Sequence, residues 1–142
     1  GVTGWNVGVN NPFDTSGLLG TLVLCDKTVS VSGSYERYFE ENGVRYHHIL
    51  DSVNGYPAES GLLSAAVICS DGLYADALST ALFVLGLDGG TALYERGIYD
   101  FEAIFCLEDG TVYYTEGLDG IFTPNRDAKN IRNFEIIPKK SE

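Results

Sequence analysis

Positive charge is scarce in this sequence: 9 Lys and Arg stand against 20 Asp and Glu, a formal net charge of −11 at pH 7. A field of that sign repels nucleic acid and anionic lipid, and it makes a polyphosphate ligand hard to hold without a bridging cation. Histidine is nearly missing, with only 2 in the chain, and they are adjacent, His47 and His48. Methionine is absent, which leads us to expect a processed or excised piece of a longer protein. The three cysteines, Cys25, Cys69 and Cys106, share no C-x-x-C spacing and each lies in an apolar run. They are expected to be buried thiols, in neither a metal site nor a complete disulfide framework. No run is expected to reach the ~20 apolar residues that span a bilayer, and the opening residues do not read as a basic and apolar leader.

What is present suits a folded chain: 44% hydrophobic and 20% charged residues, with 17 Gly. A length of 142 residues lets one domain bury roughly two-thirds of its unfolded surface. We expect that domain over 1–137, with a polar tail at 138–142. Residues 4–9 (GWNVGV) read as a strand closed by Asn10, Asn11 and Pro12, followed by a Gly-containing loop. Two β-rich runs follow at 21–25 and 28–32, the second alternating with period two and stopping at Gly33. Residues 35–40 and 44–49 flank Asn42-Gly43, a strong hairpin signal, although YERYFE would also suit a short helix.

Residues 62–69 (LLSAAVIC) read as a strand buried on both faces. Ser70 or Asp71 then caps a helix over about 72–85, in which Leu73, Ala77, Ala81 and Leu85 recur at four-residue spacing and Gly86 supplies the stop. A shorter helix is expected at 91–96, a hairpin across Asp109-Gly110 from 103–107 and 112–115, and a last strand at 133–137. The expected class is α+β: a largely antiparallel sheet with hairpins, packed against one main helix and a shorter second one.

Asp76 and Thr80 lie four residues apart on the main helix, which puts their side chains on one face with Cβ atoms about 5–6 Å apart. A carboxylate and a hydroxyl are hard oxygen donors, suited to Mg²⁺ or Ca²⁺. The ordinary reading is a solvated carboxylate and a hydroxyl bonded to the carbonyl four residues back. A carboxylate in the middle of so apolar a helix, however, needs a partner if it is buried. Strand alternation turns His47 and His48 to opposite faces, so at most one can serve a given site. Imidazole suits general-base work near neutral pH, and it is equally at home hydrogen-bonded into a sheet. Asp51 and the turn Asn54-Gly55-Tyr56-Pro57 read as turn formers, and Ser30, Ser32 and Gly33 as a strand exit whose N–H groups could meet a phosphate.

Taken in order, the blocks GWNVGVNNP, TVSVSGSYERYFEENGVRYHHILDSVNGYP and SAAVICSDGLYADALSTALFVLG resemble the C-terminal half of the ApbE family. These are the FAD:protein FMN transferases, formerly called thiamine biosynthesis lipoproteins. The resemblance runs from Gly4 to about Phe122. It implies a Mg²⁺-dependent transferase that splits the pyrophosphate of FAD and moves FMN to a Thr or Ser hydroxyl of an acceptor protein, releasing AMP. It also implies an extracytoplasmic bacterial lipoprotein whose acceptors include subunits of membrane redox pumps.

Carried onto this sequence, the family's A-D-A-x-x-T block makes Asp76 and Thr80 metal ligands. Its H-I-[IL]-D block makes His48 the base that activates the acceptor hydroxyl, and it sets His48 and Asp51 beside the nucleotide. Its S-G-x-Y block does the same for Ser32, Gly33 and Tyr35. Two departures stand out: Val31 where Thr is usual before S-G, and Ser52-Val53-Asn54 inside the usual D-P-x-T-G. The family's N-terminal half has no counterpart here, so the expectation is a domain inactive by itself that associates through exposed strand edges. The alternative is a non-catalytic module that binds flavin nucleotide, metal or another protein on the same fold.

Overall fold

The computed structural model describes residues 3–140, so the last two residues of the expected polar tail lie outside the described residues. In chain order the elements are β1 (Trp5–Asn11), β2 (Asp14–Leu24), β3 (Thr28–Gly33), β4 (Tyr38–Glu41), β5 (Val44–His47), β6 (Leu62–Cys69), α1 (Gly72–Glu95), β7 (Glu102–Leu107), β8 (Thr111–Thr115), a 3-10 turn at Glu116–Leu118, β9 (Phe122–Pro124) and β10 (Asn133–Ile137). A five-stranded sheet runs β10-β8-β7-β6-β3, a three-stranded sheet runs β1-β2-β9, and β4-β5 stands as a separate hairpin. The class is α+β, as its hairpins implied. One pair departs from the antiparallel rule, because β10 lies parallel to β8.

Alternation along the central strands explains the layering. On β6, Ala65, Val67 and Cys69 point into the core shared with α1, while Ala66 and Ile68 point into the core shared with β1 and β2. On β7, Ala103 and Phe105 take the first side, Ile104 and Cys106 the second. The five-stranded sheet is therefore the middle layer, between one helix and one small sheet. Burial on both faces is why β6 is a near-continuous apolar run.

The hairpin at Asn42-Gly43 forms, with both residues at positive φ, 52° and 78°, as a two-residue turn matched to strand twist requires. Its first strand starts later than expected, at Tyr38, because residues 35–37 turn away from β3 first. The loop expected after Pro12 is instead the start of β2, which pairs with β1 through a bulge at Asn10. Cys25 is a second correction: Cys69 and Cys106 are buried, but Cys25 is exposed. Leu22 and Leu24 take the inward positions of β2, so the residue after Leu24 falls outside the core. Burial, followed by the charge of Asp109, pushes the Cys106 thiol up to about 12.

The helix differs from expectation at several points. Gly86 does interrupt helical geometry (φ 72°, ψ −175°), but the chain resumes the helix at once, so the two expected helices form one kinked element. Gly86 is required twice over, by its positive φ and because a Cβ there would lie 3.1 Å from the Ser60 carbonyl oxygen. The stripe Leu73, Ala77, Ala81, Leu85 is not the buried face: Leu73 is 80% exposed and Leu85 51%. With about 3.6 residues per turn, strict four-residue spacing drifts around the helix. The buried face follows the mixed three- and four-residue steps of Ala75, Leu78, Ser79, Leu82, Phe83 and Gly86. At 24 residues α1 is also long and apolar enough to cross a bilayer, contrary to expectation. Its packing across β3 and β6 with Leu82 and Phe83 fully buried, and its kink, are those of a core helix.

The C-terminal end of α1 is pinned to the sheet by polar contacts. Tyr94 donates its hydroxyl proton to Glu102 at 3.2 Å, and Thr115 donates to the same carboxylate oxygen. Burial and then the Glu102 charge push the Tyr94 phenol up to about 12. Folded Tyr94 keeps its proton where the unfolded chain, with an ordinary tyrosine near 10, loses it. This contribution to stability is therefore complete below about pH 10 and is lost as pH rises toward about 12. Tyr94→Phe is expected to flatten the fall of the melting temperature across that window, measured by circular dichroism. Equal slopes for the two proteins would contradict the assignment.

Candidate active site

Strand β3 carries two side-chain sets. Val29 and Val31 pack against the core beneath β1 and β2, so Ser30 and Ser32 take the opposite face, toward α1. There they meet Asp76, Ser79 and Thr80. Ser30 Oγ lies 3.3 Å from Asp76 Oδ1 and 3.5 Å from Ser79 Oγ. Ser32 Oγ lies 2.9 Å from Ser79 Oγ and 3.1 Å from Thr80 Oγ1. Within the helix, the Ser79 and Thr80 hydroxyls reach the Asp76 carbonyl oxygen at 3.0 and 3.4 Å. Asp76 and Thr80 are exposed, while Ser79 is fully buried. The two expected metal-binding side chains thus face the same way and are open to solvent. The Val31 departure is harmless to this seam, because that residue faces the other layer.

Ser79 was missed in the sequence, where the eye stops at Asp76 and Thr80. The signal was available: Ser79 lies in the same helical turn, and the two-residue spacing of Ser30 and Ser32 sets a matching pair of hydroxyls on one strand face.

The histidines divide as alternation requires. The His47 ring stands edge-on to Phe83 of α1, with centroids 5.5 Å apart at 85°. Its Nε2 lies 3.1 Å from the Ala58 carbonyl oxygen, an atom that only accepts, so Nε2 carries the proton and the buried Nδ1 is left without a hydrogen-bond partner. His48 falls just past the end of β5 and is exposed. Its backbone N–H and its Nδ1 each lie 3.2 Å from the Arg37 carbonyl oxygen. The same logic puts the ring proton of His48 on Nδ1 and leaves Nε2 as a bare lone pair in solvent. His47 ties this histidine pair to α1 at Phe83, one turn beyond Thr80.

Gly33 ends β3 in a buried position, and an added Cβ there would strike the Tyr35 ring and come 3.1 Å from the Leu63 carbonyl oxygen. Tyr35 is half-buried against it, and burial, followed by the charge of Glu36, raises its phenol. Asp51 shapes its own loop: its carboxylate accepts the Val53 N–H at 2.8 Å, and its N–H donates to the Tyr56 carbonyl oxygen at 2.8 Å. The seam joins Ser30, Ser32, Asp76, Ser79 and Thr80 in direct contact, while the Tyr35 ring packs on Gly33 from the opposite face of β3, the side of Val29 and Val31. Asp51 and His48 are held by separate contacts.

Among the described residues, no three His, Cys, Asp or Glu side chains gather as a metal cluster. The donors at the seam are one carboxylate and several hydroxyls. That set fits Mg²⁺, which is commonly held by one or two carboxylates with water and ligand phosphate completing the shell.

The model of the ApbE family matches residues 1–105. The chain belongs to the ApbE family. An FAD:protein FMN transferase of Klebsiella pneumoniae (strain 342) is 45% identical over 102 residues, which are 71% of this chain and 32% of that relative. One of Treponema pallidum (strain Nichols) is 42% identical over 116 residues, 80% of this chain and 32% of the relative. Among solved structures, the ApbE protein of Thermotoga maritima superposes with a TM-score of 0.74 at 38% identity, covering 82% of this chain and 38% of that one. The apo flavinyl transferase ApbE of Pseudomonas stutzeri gives 0.66 at 36% identity, covering 87% and 38%. The chain spans about a third of the length of the curated ApbE relatives it matches.

The division of labour between the histidines predicts different costs. His47→Ala removes an aromatic contact and a part-buried hydrogen bond and should destabilise the fold by about 1–3 kcal/mol in urea titration. His48→Ala, at an exposed position, should stay within about 0.5 kcal/mol of wild type. The reverse order would contradict the placement.

Proposed function

We propose that this chain is the part of an FAD:protein FMN transferase that supplies a cation site and the general base. The reaction moves FMN from FAD to a Thr or Ser hydroxyl of an acceptor protein. The observation that carries this reading is the seam, which sets Asp76 and Thr80 side by side, open to solvent, on a chain whose relatives are named for that activity. With a net charge of −11, the protein holds a pyrophosphate only where a cation offsets the repulsion. Asp76 and Thr80 would hold Mg²⁺, and that ion would supply neutralisation of the charge that builds on the phosphoryl oxygens.

The remaining chemistry belongs to the chain's own residues. His48 takes the acceptor hydroxyl proton on Nε2, the nitrogen left bare by the Nδ1–H bond to Arg37. The freed oxygen attacks the phosphorus on the FMN side, the P–O bond to the AMP side breaks, and AMP leaves. Ser32, Gly33, Tyr35 and Asp51 flank the nucleotide, with the close Gly33–Tyr35 packing fixing the end of β3. By itself the chain is inactive on this reading, because it spans only a third of its relatives. The membrane-anchored, extracytoplasmic setting belongs to the same reading and rests on family resemblance.

The test joins this chain, in one polypeptide, to the upstream part of a family member and supplies FAD, Mg²⁺ and an acceptor protein. Covalent flavin fluorescence of the acceptor should fall by roughly 10²–10⁴-fold in His48→Ala. Asp76→Asn should weaken the apparent Mg²⁺ affinity. Undiminished labelling by both variants would overturn the proposal. The chain alone should self-associate through the free outer edges of β1 and β3, and a strict monomer in light scattering at all concentrations would refute that part.

A further inference from the structure

The hydroxyls of the seam have a direction, and one buried serine sets it. The Asp76 carbonyl oxygen can only accept, and it lies 3.0 Å from Ser79 Oγ, so the single Ser79 proton is committed to it. Ser32 Oγ, 2.9 Å from Ser79 Oγ, must then be the donor of that pair. Thr80 Oγ1, 3.1 Å from Ser32 Oγ, must in turn donate to Ser32 or to the Asp76 carbonyl oxygen at 3.4 Å. Both acceptors belong to the seam itself. The Thr80 proton therefore points inward and its lone pairs face out. Ser30 completes the set by donating to Asp76 Oδ1 at 3.3 Å, since a carboxylate oxygen only accepts.

We propose that Ser79 is a positioning residue whose buried hydroxyl polarises this chain of hydrogen bonds and so presents Thr80 to solvent as an acceptor, beside a carboxylate held by Ser30. A threonine fixed that way is a ligand for a cation and a poor donor to a phosphate oxygen. The inference rests on the reading of Asp76 and Thr80 as a divalent-cation pair, and it adds what makes the pair selective for that charge. Ser79 touches no reacting atom; it acts through Ser32, Thr80 and the Asp76 carbonyl. Outer-shell partners of this kind orient the groups that bind the metal.

The experiment uses the chain as it is, with Mn²⁺ as the probe and two NMR readouts. In wild type, three-bond couplings of the Thr80 side chain should report one rotamer, and Mn²⁺ should broaden the Asp76 and Thr80 amides selectively. Ser79→Ala should give averaged Thr80 couplings and raise the Mn²⁺ midpoint about tenfold, the lower end of the usual outer-shell effect. Ser32→Ala, at the half-exposed strand position, should produce the same averaging and serves if Ser79→Ala fails to fold. A single retained rotamer and an unmoved midpoint in the variants, with broadening intact, overturn the role of Ser79 and leave the cation reading standing. Absence of selective broadening in wild type overturns the cation reading itself, and the proposal falls with it.

Discussion

A seam of four hydroxyls and one carboxylate joins the edge strand β3 to helix α1, and the position of the candidate metal ligands follows from it. Between this seam and the Tyr94–Glu102 contact at the far end of α1, the helix meets the sheet through an apolar core of Leu78, Leu82 and Phe83 against β6 and β7. Such a core holds the helix down without fixing which way its rim points. The hydrogen bonds from Ser30 and Ser32 do fix it, because each requires a particular side chain at about 3 Å. Advancing α1 by one residue would put Ala77 and Ala81 at the β3 edge in place of Asp76 and Thr80.

The same helix also locates His48, the proposed base. His47 leans on Phe83, a core residue one turn beyond the seam, and spends its Nε2 on the Ala58 carbonyl. This holds the end of β5 against the helix, and the following residue, His48, is left on the outer side. The Arg37 carbonyl then serves both the backbone and the ring of His48, which settles its tautomer without any carboxylate partner. One histidine is used to hold the other.

Much of this was legible in the chain. Period-two alternation in TVSVS and in RYHH assigned the right residues to each face, and Asn42-Gly43 and Asp109-Gly110 gave both hairpins. The A-D-A-L-S-T block gave Asp76 and Thr80. What was not legible depends on three-dimensional neighbours. Four-residue spacing marks a helix without marking its buried face, since Leu73 and Leu85 are apolar yet exposed, while Ser79 is polar yet buried. The kink at Gly86 could be read only as a stop, because the resumption of the helix depends on Leu87 and Leu93 packing against the core. Cys25 looked buried because it follows an apolar run, but the run ends at Leu24, whose inward position leaves the next residue outside the core.

The central claim, that the β3–α1 seam presents Asp76 and Thr80 jointly to a divalent cation, is tested most directly by a crystal structure of this chain grown with Mn²⁺ and FAD, using anomalous scattering to locate the metal. The account predicts a peak within bonding distance of both the Asp76 carboxylate and Thr80 Oγ1, with the Ser79–Ser32–Thr80 contacts unchanged. No peak there, a peak on Asp76 alone, or Thr80 rotated into a different rotamer would contradict it.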